Sequence, residues 1–290
     1  MSTSLLYPEG FLSPLEIDDA VHRTLAEDLG RAGDVTSIAT IPAGTVARAA
    51  LIARKGGTIS GLPLVAAAFR KLDPAVELKP SARDGDTVAT KTALMTITGD
   101  ARAVLSAERA ALNLLGHLSG IASATAEFVR RVQGTRTRIC CTRKTTPGLR
   151  ALQKYAVRCG GGVNHRFSLS DMAMVKDNHV VAAGGVVPAY RAVREAYPEL
   201  AVEVEVTDLD QLRELLDAGC DRILLDNMDS PTMAEAVRIT AGRATLEASG
   251  GLTFERAREV AETGVDFISV GALTHSVKVF DLGMDLQEGR

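Results

Sequence analysis

Residues 202–226 read VEVEVTDLDQLRELLDAGCDRILLD, and this stretch contains the pattern that decides the fold. It predicts three elements in turn: a strand over 202–206, a helix over 208–218 and a strand over 222–225. Asp208 suits the N-terminus of the helix, and Gly219 stands where the helix ends. A strand, a helix and a second strand in this order predict two parallel strands joined by a right-handed crossover.

The same alternation extends from residue 139 to residue 270. Further strands are predicted at 139–142, 172–175, 244–247 and 266–270, and further helices at 148–158, 186–197, 230–241 and 253–263. Such repeated units build either an open doubly wound sheet or a barrel. The unusual polar residues stand at the carboxyl ends of the strands, and a barrel gathers those ends around one mouth, where barrel active sites lie. We therefore predict an α/β barrel.

The chain before residue 116 has a different pattern, with short strands and turns rich in Gly and Asp. The predicted elements are a helix over 14–29, a loop over 30–37 with Asp34 and Thr36 as turn or cap residues, a strand over 45–54, a helix over 62–72, and strands within 76–90 and over 93–100. A helix follows over 101–133, with a break predicted near Gly116 or Gly120. This pattern predicts a small α+β unit.

The composition of the 290 residues is that of an ordinary globular protein, with 46% hydrophobic residues and no Trp. The cysteines, Cys140, Cys141, Cys159 and Cys220, show neither a CxxC pair nor a zinc spacing, so buried free thiols are predicted. Residues 1–10 lack the basic and apolar regions of a secretory signal. No apolar run approaches the roughly 20 residues that cross a bilayer. These features predict a soluble, cytoplasmic protein.

Residues 136–179 form a basic segment in an acidic chain. The segment holds nine Lys or Arg and two Asp, a charge of +7, whereas the whole chain carries −3. A short basic segment indicates a local anion site rather than a surface for polyanions. Aromatic residues are scarce, which argues against a nucleic-acid partner. The segment therefore predicts cations that converge on a small, multiply charged ligand.

The polar residues at the strand ends suggest three subsites. The cations are Arg143, Lys144, His165, Arg166 and Lys176, which suit carboxylates or phosphates. Glu205 and Asp226 supply oxygen ligands of the kind that hold Mg²⁺ jointly with substrate phosphates. The small residues of 249–251 and 270–272 present backbone N–H groups, as a late barrel loop does for a phosphate.

Other chemistries find no matching motif in the sequence. It contains no GxxxxGK[ST] loop, no GxGxxG after a strand, no HExxH and no GxSxG. A Schiff base on Lys144 or Lys176 is an alternative, but the neighbouring cations favour anion binding.

Several motifs together resemble the quinolinate phosphoribosyltransferase family of type II phosphoribosyltransferases. TRKTTPGLRALQKYAVRCGGGVNHR and then KDNH match its signature, and EVEV, LLDN, EASGG and VGALTHS follow in order. EDLG, GDVT and AERAALNLLGHLSGIAS match earlier in the chain, so the resemblance covers essentially its whole length. Ala248 stands where many relatives have Ser or Thr.

The resemblance implies an open, incomplete TIM-like α/β barrel over residues 116–277. It also implies an N-terminal α+β sandwich domain over 1–115, with 278–290 packing back on it. The implied reaction converts quinolinate and 5-phosphoribosyl 1-diphosphate to nicotinate mononucleotide, diphosphate and CO₂, with Mg²⁺ required, in de novo NAD biosynthesis. The implied assembly is a homodimer with shared active sites, or a hexamer, in which Arg109 reaches a neighbouring subunit. No nucleic acid or membrane is an expected partner.

The family's functional positions fall on polar or small residues of this sequence. For quinolinate the resemblance implies Arg109, Arg143, His165, Arg166 and Lys176. For the phosphoribosyl diphosphate and its metal, held directly or indirectly, it implies Lys144, Glu205 and Asp226, which are also the predicted catalytic residues. For the 5-phosphate it implies Ser249, Gly250, Gly251, Gly271 and Ala272. Thr142 completes the predicted substrate-binding set.

Two other functions stay open from the sequence. One is that of a related phosphoribosyltransferase-like paralogue associated with molybdenum transport, which an assay of quinolinate consumption would distinguish. The other is a non-catalytic anion-binding protein with the same fold. Glu205 and Asp226 count against the second, because acids beside an anionic ligand weaken its binding.

Overall fold

The computed structural model describes residues 12–287 of the chain. Its helices are α1 Pro14–Leu29, α2 Val35–Thr40, α3 Leu62–Leu72, α4 Ala101–Arg131, α5 Arg150–Cys159, α6 Asp177–Ala183, α7 Val186–Ala196, α8 Leu209–Asp217, α9 Ser230–Thr240, α10 Ala257–Glu262 and α11 Ala272–His275. Its strands are β1 Val46–Ala53, β2 Gly57–Thr58, β3 Glu77–Pro80, β4 Thr87–Val88, β5 Ala93–Asp100, β6 Arg138–Cys140, β7 Ala173–Val175, β8 Val202–Val206, β9 Arg222–Asp226, β10 Thr245–Ser249, β11 Phe267–Ser269 and β12 Leu282–Gln287.

Contacts group these elements into two compact units. The first comprises the chain up to Ala126, Thr145–Gly161 and the chain from Thr274 onward, and the second comprises Glu127–Lys144 and Gly162–Leu273. The predicted domain ranges, 1–115 with 278–290 and 116–277, stay a prediction. The absence of a secretory signal, predicted for residues 1–10, and the packing predicted for residues 288–290 concern segments outside the described residues.

The first unit contains an antiparallel sheet in the order β12-β1-β5-β3. β1 lies in the middle because its inward positions are apolar: Ala49, Leu51 and Ala53 are buried. β12 pairs along β1 from Arg48 opposite Gln287 to Ala53 opposite Leu282. The C-terminal strand Leu282–Gln287 therefore belongs to the sheet of the first unit.

Two predictions in the first unit are wrong. The predicted loop over 30–37 contains the start of α2. Asp34 is nevertheless a cap residue, as predicted: it is the N-cap of α2 and accepts a hydrogen bond from the Ser37 backbone N–H at 2.9 Å. The break predicted near Gly116 or Gly120 does not occur, because α4 is continuous. A Cβ at Gly120 would lie 2.2 Å from the carbonyl oxygen of Lys278. These glycines thus serve the close approach of another backbone segment rather than a helix break.

The second unit contains six parallel strands in the order β6-β11-β10-β9-β8-β7. The first strand of this sheet in chain order, β6, pairs with the last, β11, and such a pairing of first and last strands is typical of a barrel. β6 and β7 do not pair with each other among the described residues, so the sheet stays open between them. This is the open, incomplete barrel that the resemblance implies.

The predicted elements of the second unit occur with shifted ends. Asp208 is the N-cap of α8 as predicted, and it accepts hydrogen bonds from the backbone N–H groups of Asp210 and Gln211. β6 is shorter than predicted and ends at Cys140, and β10 extends to Ser249. The short helices α6 and α11 were not predicted, since neither is long enough to show a helical period in the sequence.

The cysteines are thiols, as predicted, and three of the four are buried. Cys140, Cys141 and Cys220 are buried, Cys159 is half-buried, and none of the four forms a disulfide bond. Burial raises the pKa of the Cys159 and Cys220 thiols to about 11. Every helix within residues 12–287 is too short or too polar to span a bilayer.

Candidate active site

The predicted site residues of the second unit collect where its parallel strands end. Because parallel strands direct their carboxyl ends to one edge of the sheet, residues far apart in sequence meet there. Arg143 and Lys144 follow β6, and Lys176 follows β7 as the N-cap of α6. Asp226 ends β9 and Ser249 ends β10, and the two are directly paired in the sheet register. The prediction of a common edge is therefore confirmed.

A buried cluster of His165, Glu203 and Glu247 lies in this unit. The Nε2 atom of His165 is 2.8 Å from an Oε2 of Glu203 and 3.3 Å from an Oε2 of Glu247. The three side chains are 7%, 3% and 4% exposed. Glu203 belongs to β8 and Glu247 to β10, so the imidazole joins two strands that are not neighbours in the sheet.

Burial and ion pairing oppose each other in this cluster. Burial by itself would lower the pKa of His165, but the hydrogen bonds and charges of Glu203 and Glu247 outweigh it and raise that pKa to about 9. Burial, and then the nearby charge of Glu203, raises the pKa of Glu247. The Arg166 backbone N–H lies 2.8 Å from Nδ1 of His165, a contact that favours the neutral ring. With a pKa of about 9 the ring is charged at neutral pH, and Nδ1 accepts from Arg166 only once its own proton has left.

A second ion pair lies nearer to solvent on the same strand. Lys176 Nζ donates to Oε2 of Glu205, with the lysine side chain 45% exposed and the glutamate side chain 9% exposed. Glu205 and Glu203 stand two residues apart in β8, so both point to the same face of the sheet.

Two arginines of the basic segment, Arg143 and Arg166, lie close enough to influence each other's charge. Arg166 donates from Nη1 to the carbonyl oxygen of Met172 at 3.0 Å, which fixes its direction. Its partial burial, and then the charge of Arg143, lower the pKa of the Arg166 guanidinium. Two guanidinium groups close enough to repel each other are the expected arrangement where an anion normally binds between them.

The ends of β9 and β10 interlock through Asn227, which sequence reasoning did not select. Asn227 has a positive φ of 52°, its backbone N–H donates to the Ser249 carbonyl oxygen at 2.9 Å, and its Nδ2 donates to Asp226 Oδ2 at 2.9 Å. A Cβ at Gly250 would lie 2.3 Å from Asn227 Oδ1, so only glycine fits there. Gly250 and Gly251 both have positive φ, a conformation that favours glycine. Because glycine has no side chain, their backbone N–H groups are not covered by side chains of their own.

The remaining predicted residues occupy varied positions. The Thr142 hydroxyl accepts a hydrogen bond from the Lys144 backbone N–H at 3.0 Å. Gly271 follows β11, and Ala272 is the first residue of the short helix α11. Arg109 is exposed on α4 and belongs to the first unit.

Glu205 and Asp226 are the carboxylates that would hold the Mg²⁺ that the resemblance implies. Glu205 and Asp226 offer hard oxygen ligands, which fit Mg²⁺, but Glu205 already contacts Lys176 and Asp226 contacts Asn227. Two carboxylates form an incomplete set, so a metal here would take its other ligands from substrate phosphates and water. Within residues 12–287, the potential ligands that converge in a group of three are His165, Glu203 and Glu247. Their ligand atoms are already satisfied by one another.

Sequence reasoning selected neither Glu203 nor Glu247 as a site residue. A usable signal was present, because an acid inside a strand buried on both faces needs a partner. VEVEV places Glu203 and Glu205 on one face of the strand. Glu203 is the acid farther from the strand end, so the pattern predicts that it has a buried partner.

Comparisons with known proteins identify the family of the chain. The family model for the quinolinate phosphoribosyl transferase N-terminal domain matches residues 34–119, and the model for the C-terminal domain matches residues 121–285. Nicotinate-nucleotide pyrophosphorylase [carboxylating] of Mycobacterium leprae is 47% identical over 95% of this chain and 100% of its own length. The probable enzyme of that name from Bacillus subtilis is 41% identical over 95% of each.

A solved structure gives the same result for the fold. The nicotinate-nucleotide pyrophosphorylase from Francisella tularensis superposes with a TM-score of 0.93 at 35% identity, covering 96% of this chain and 98% of that one. Both family models together match most of the chain, in the order expected. The chain therefore belongs to the quinolinate phosphoribosyltransferase family.

Proposed function

We propose that the protein is a decarboxylating quinolinate phosphoribosyltransferase. It joins quinolinate to 5-phosphoribosyl 1-diphosphate and releases nicotinate mononucleotide, diphosphate and CO₂, a step of de novo NAD biosynthesis. The convergence of cations above buried acids at one edge of the parallel sheet carries the proposal. Family membership and the names of the relatives support it.

Quinolinate is a dianion, and the basic residues of the second unit suit it. Arg143 and Arg166 provide planar donors for a carboxylate, and Lys176 provides a point charge. His165 adds a further positive charge that Glu203 and Glu247 hold in one orientation. Because all these groups point to the same edge, they bind the two carboxylates together and fix the pyridine ring between them.

The phosphoribosyl diphosphate is assigned to Lys144, Glu205 and Asp226. When Mg²⁺ is bound, it neutralises charge on the diphosphate. Loss of diphosphate leaves positive charge on the ribose, and the Glu205 and Asp226 carboxylates stabilise that charge electrostatically. Ser249, Gly250, Gly251, Gly271 and Ala272 are assigned to the 5-phosphate. Loss of CO₂ breaks the bond between C2 and its carboxylate, and the positive pyridinium nitrogen stabilises the electron pair left on C2. A proton from water then completes the C2–H bond, so little acid–base catalysis is required from the protein.

Incubation with quinolinate, 5-phosphoribosyl 1-diphosphate and Mg²⁺ tests the activity, with CO₂ and nucleotide as the measured products. The matched substrate control is nicotinate, which lacks the C2 carboxylate and leaves part of the cationic site without an anion. Turnover of quinolinate with little turnover of nicotinate is expected. Absence of quinolinate consumption would favour the paralogue or the non-catalytic anion-binding protein, and equal turnover of both substrates would contradict the dianion site.

We also propose a homodimer, or a hexamer built from dimers, in a cytoplasmic setting, with Arg109 serving the neighbouring subunit. A site repeated by two-fold symmetry can be tested by mixing two inactive variants. Arg109→Ala and Lys176→Ala are each expected to be nearly inactive, and co-refolding is expected to recover roughly a quarter of wild-type activity. No recovery, with mixed dimers confirmed by mass spectrometry, would mean that Arg109 serves its own subunit or only the structure.

A further inference from the structure

Helix α5 contains a fully buried glutamine, Gln153, and every polar group of its side-chain amide is hydrogen-bonded. Its Oε1 accepts from the backbone N–H of Thr146 at 3.0 Å, and its Nε2 donates to the Thr146 hydroxyl at 3.0 Å. The Nε2 atom also lies 2.8 Å from Nε2 of His117, on α4. A primary amide has one carbonyl and two N–H donors, so all its polar groups are used.

These contacts fix the orientation of the amide and the tautomer of the imidazole. A flipped amide would place its two N–H donors against the Thr146 backbone N–H, which is itself a donor. With the amide oriented as described, His117 must accept at Nε2, so its ring is neutral and carries its proton on Nδ1. Burial lowers the pKa of His117, which favours the same neutral state.

The bonded threonine belongs to the loop between β6 and α5, two residues after Lys144. Thr146 is exposed, so the buried Gln153 amide is what attaches it to the interior. The same turn is closed by the Leu149 backbone N–H, which donates to the Thr146 carbonyl oxygen at 3.1 Å. Arg150 Nε donates to the Thr145 hydroxyl at 3.0 Å and fixes the preceding residue. Side chains of α5 thus hold the loop residues that follow the two cations.

We propose that Gln153 and His117 are positioning residues for the phosphoribosyl transfer: they hold Thr146 and thereby the loop that carries Arg143 and Lys144. This inference rests on the proposed function, in which those two cations bind the substrates. Cations that must meet a carboxylate and a diphosphate need fixed positions, because a displacement of about 1 Å can cost about a hundredfold in rate. Two hydrogen bonds connect His117 to Thr146 through the Gln153 amide, and His117 acts by preventing that amide from rotating.

Four variants separate positioning from general stability. Gln153→Met keeps the side-chain volume and removes all three hydrogen bonds, and His117→Leu removes only the acceptor. His117→Gln keeps an acceptor near the former Nε2. The matched control is Ser119→Ala, two residues further along α4. Ser119 is equally buried and makes two hydrogen bonds with the Ser60 backbone, but none with the loop.

Steady-state kinetics give the first readout. Gln153→Met is expected to lower kcat/KM for both substrates about tenfold or more, and His117→Leu by about threefold to tenfold, the worth of one hydrogen bond. His117→Gln is expected to recover most of that loss, and Ser119→Ala to stay within about twofold of wild type despite a similar fall in Tm. Equal kinetics for Gln153→Met and Ser119→Ala would overturn the proposal.

Nitrogen-15 NMR of the histidine rings gives a second readout that is independent of activity. The His117 signal, assigned by its loss in His117→Gln, is expected to be that of a neutral ring protonated on Nδ1, and Gln153→Met is expected to release this single tautomer. A ring protonated on Nε2 would contradict the proposal.

A further pair of variants distinguishes failure of this inference from failure of the proposed function. Arg143→Ala and Lys144→Ala alter the cations themselves. If they leave the kinetics unchanged, the assignment of the substrate site is wrong. If they abolish activity while Gln153→Met does not affect it, only the positioning role is wrong.

Discussion

Glu203 and Glu205 are identical residues two positions apart on one face of β8, yet they have opposite environments. Glu203 is 3% exposed and shares the buried His165 with Glu247, whereas Glu205 contacts Lys176, which is 45% exposed. Depth along the strand decides the difference: the deeper acid needs a partner in order to be buried at all, and the outer acid remains available to a ligand. One strand therefore supplies both a structural support and a candidate catalytic group.

The largest effect is expected from removing the shared cation of the buried cluster. His165→Leu leaves Glu203 and Glu247 buried without a positive partner, and breaking such a cluster typically costs about 3–5 kcal/mol of unfolding free energy. Urea unfolding at neutral pH measures this cost. Adding Glu203→Gln to the same variant removes one of the unpaired acids and should restore part of the loss. Additive, uncoupled effects of the two changes would show that the cluster is not a unit.

The outer cations are expected to affect binding rather than folding. Lys176→Ala and Arg166→Ala should weaken quinolinate binding by about 1.5–3 kcal/mol, the usual worth of a charge-assisted hydrogen bond. The affinity for 5-phosphoribosyl 1-diphosphate should change far less. Calorimetric titration of each ligand into each variant makes the comparison, and an equal loss for both ligands would contradict the quinolinate assignment.

A pH dependence distinguishes the buried cluster from the outer pair. The pKa of His165 is raised from 6.5 to about 9, so the imidazolium contributes stability that is fully present below about pH 6.5 and is lost as pH rises through about 9. Tm measured between these limits should therefore fall in wild type and in Lys176→Ala, which keeps the cluster. His165→Leu should lack this component of the decline. An unchanged decline in His165→Leu would assign the titration to other groups.

The smallest effect on stability is expected from the outer acid. Glu205→Gln disrupts an ion pair whose lysine is nearly half exposed, so solvent screening limits the cost to less than about 1 kcal/mol. Turnover should nevertheless fall strongly, because the carboxylate is assigned to the charge that develops on the ribose. Chemical unfolding and steady-state kinetics on the same preparation test both halves. A large loss of stability would place Glu205 with Glu203 as a structural acid.

Sequence patterns predicted much of the second unit because its signals are local. Alternating buried strands and capped helices gave the order of elements, with Asp208 at its predicted N-cap. The motifs placed the cations and acids at strand ends. The short helices α6 and α11 were not predicted, because they are too short to show a helical period. The continuity of α4 was not predicted, because it goes with the close approach of a distant segment, Lys278 against Gly120.

By itself, the sequence determined that this protein has parallel strands with its cations and two of its acids at their carboxyl ends, because strand period and motif spacing are properties of neighbouring residues. Only the tertiary structure decided which of those groups meet. Two sets of contacts join residues from separate elements. Glu203 and Glu247 both contact His165. Gln153 is hydrogen-bonded to Thr146 and to His117. Such contacts depend on the register of strands and the packing of helices, which no single stretch of sequence specifies.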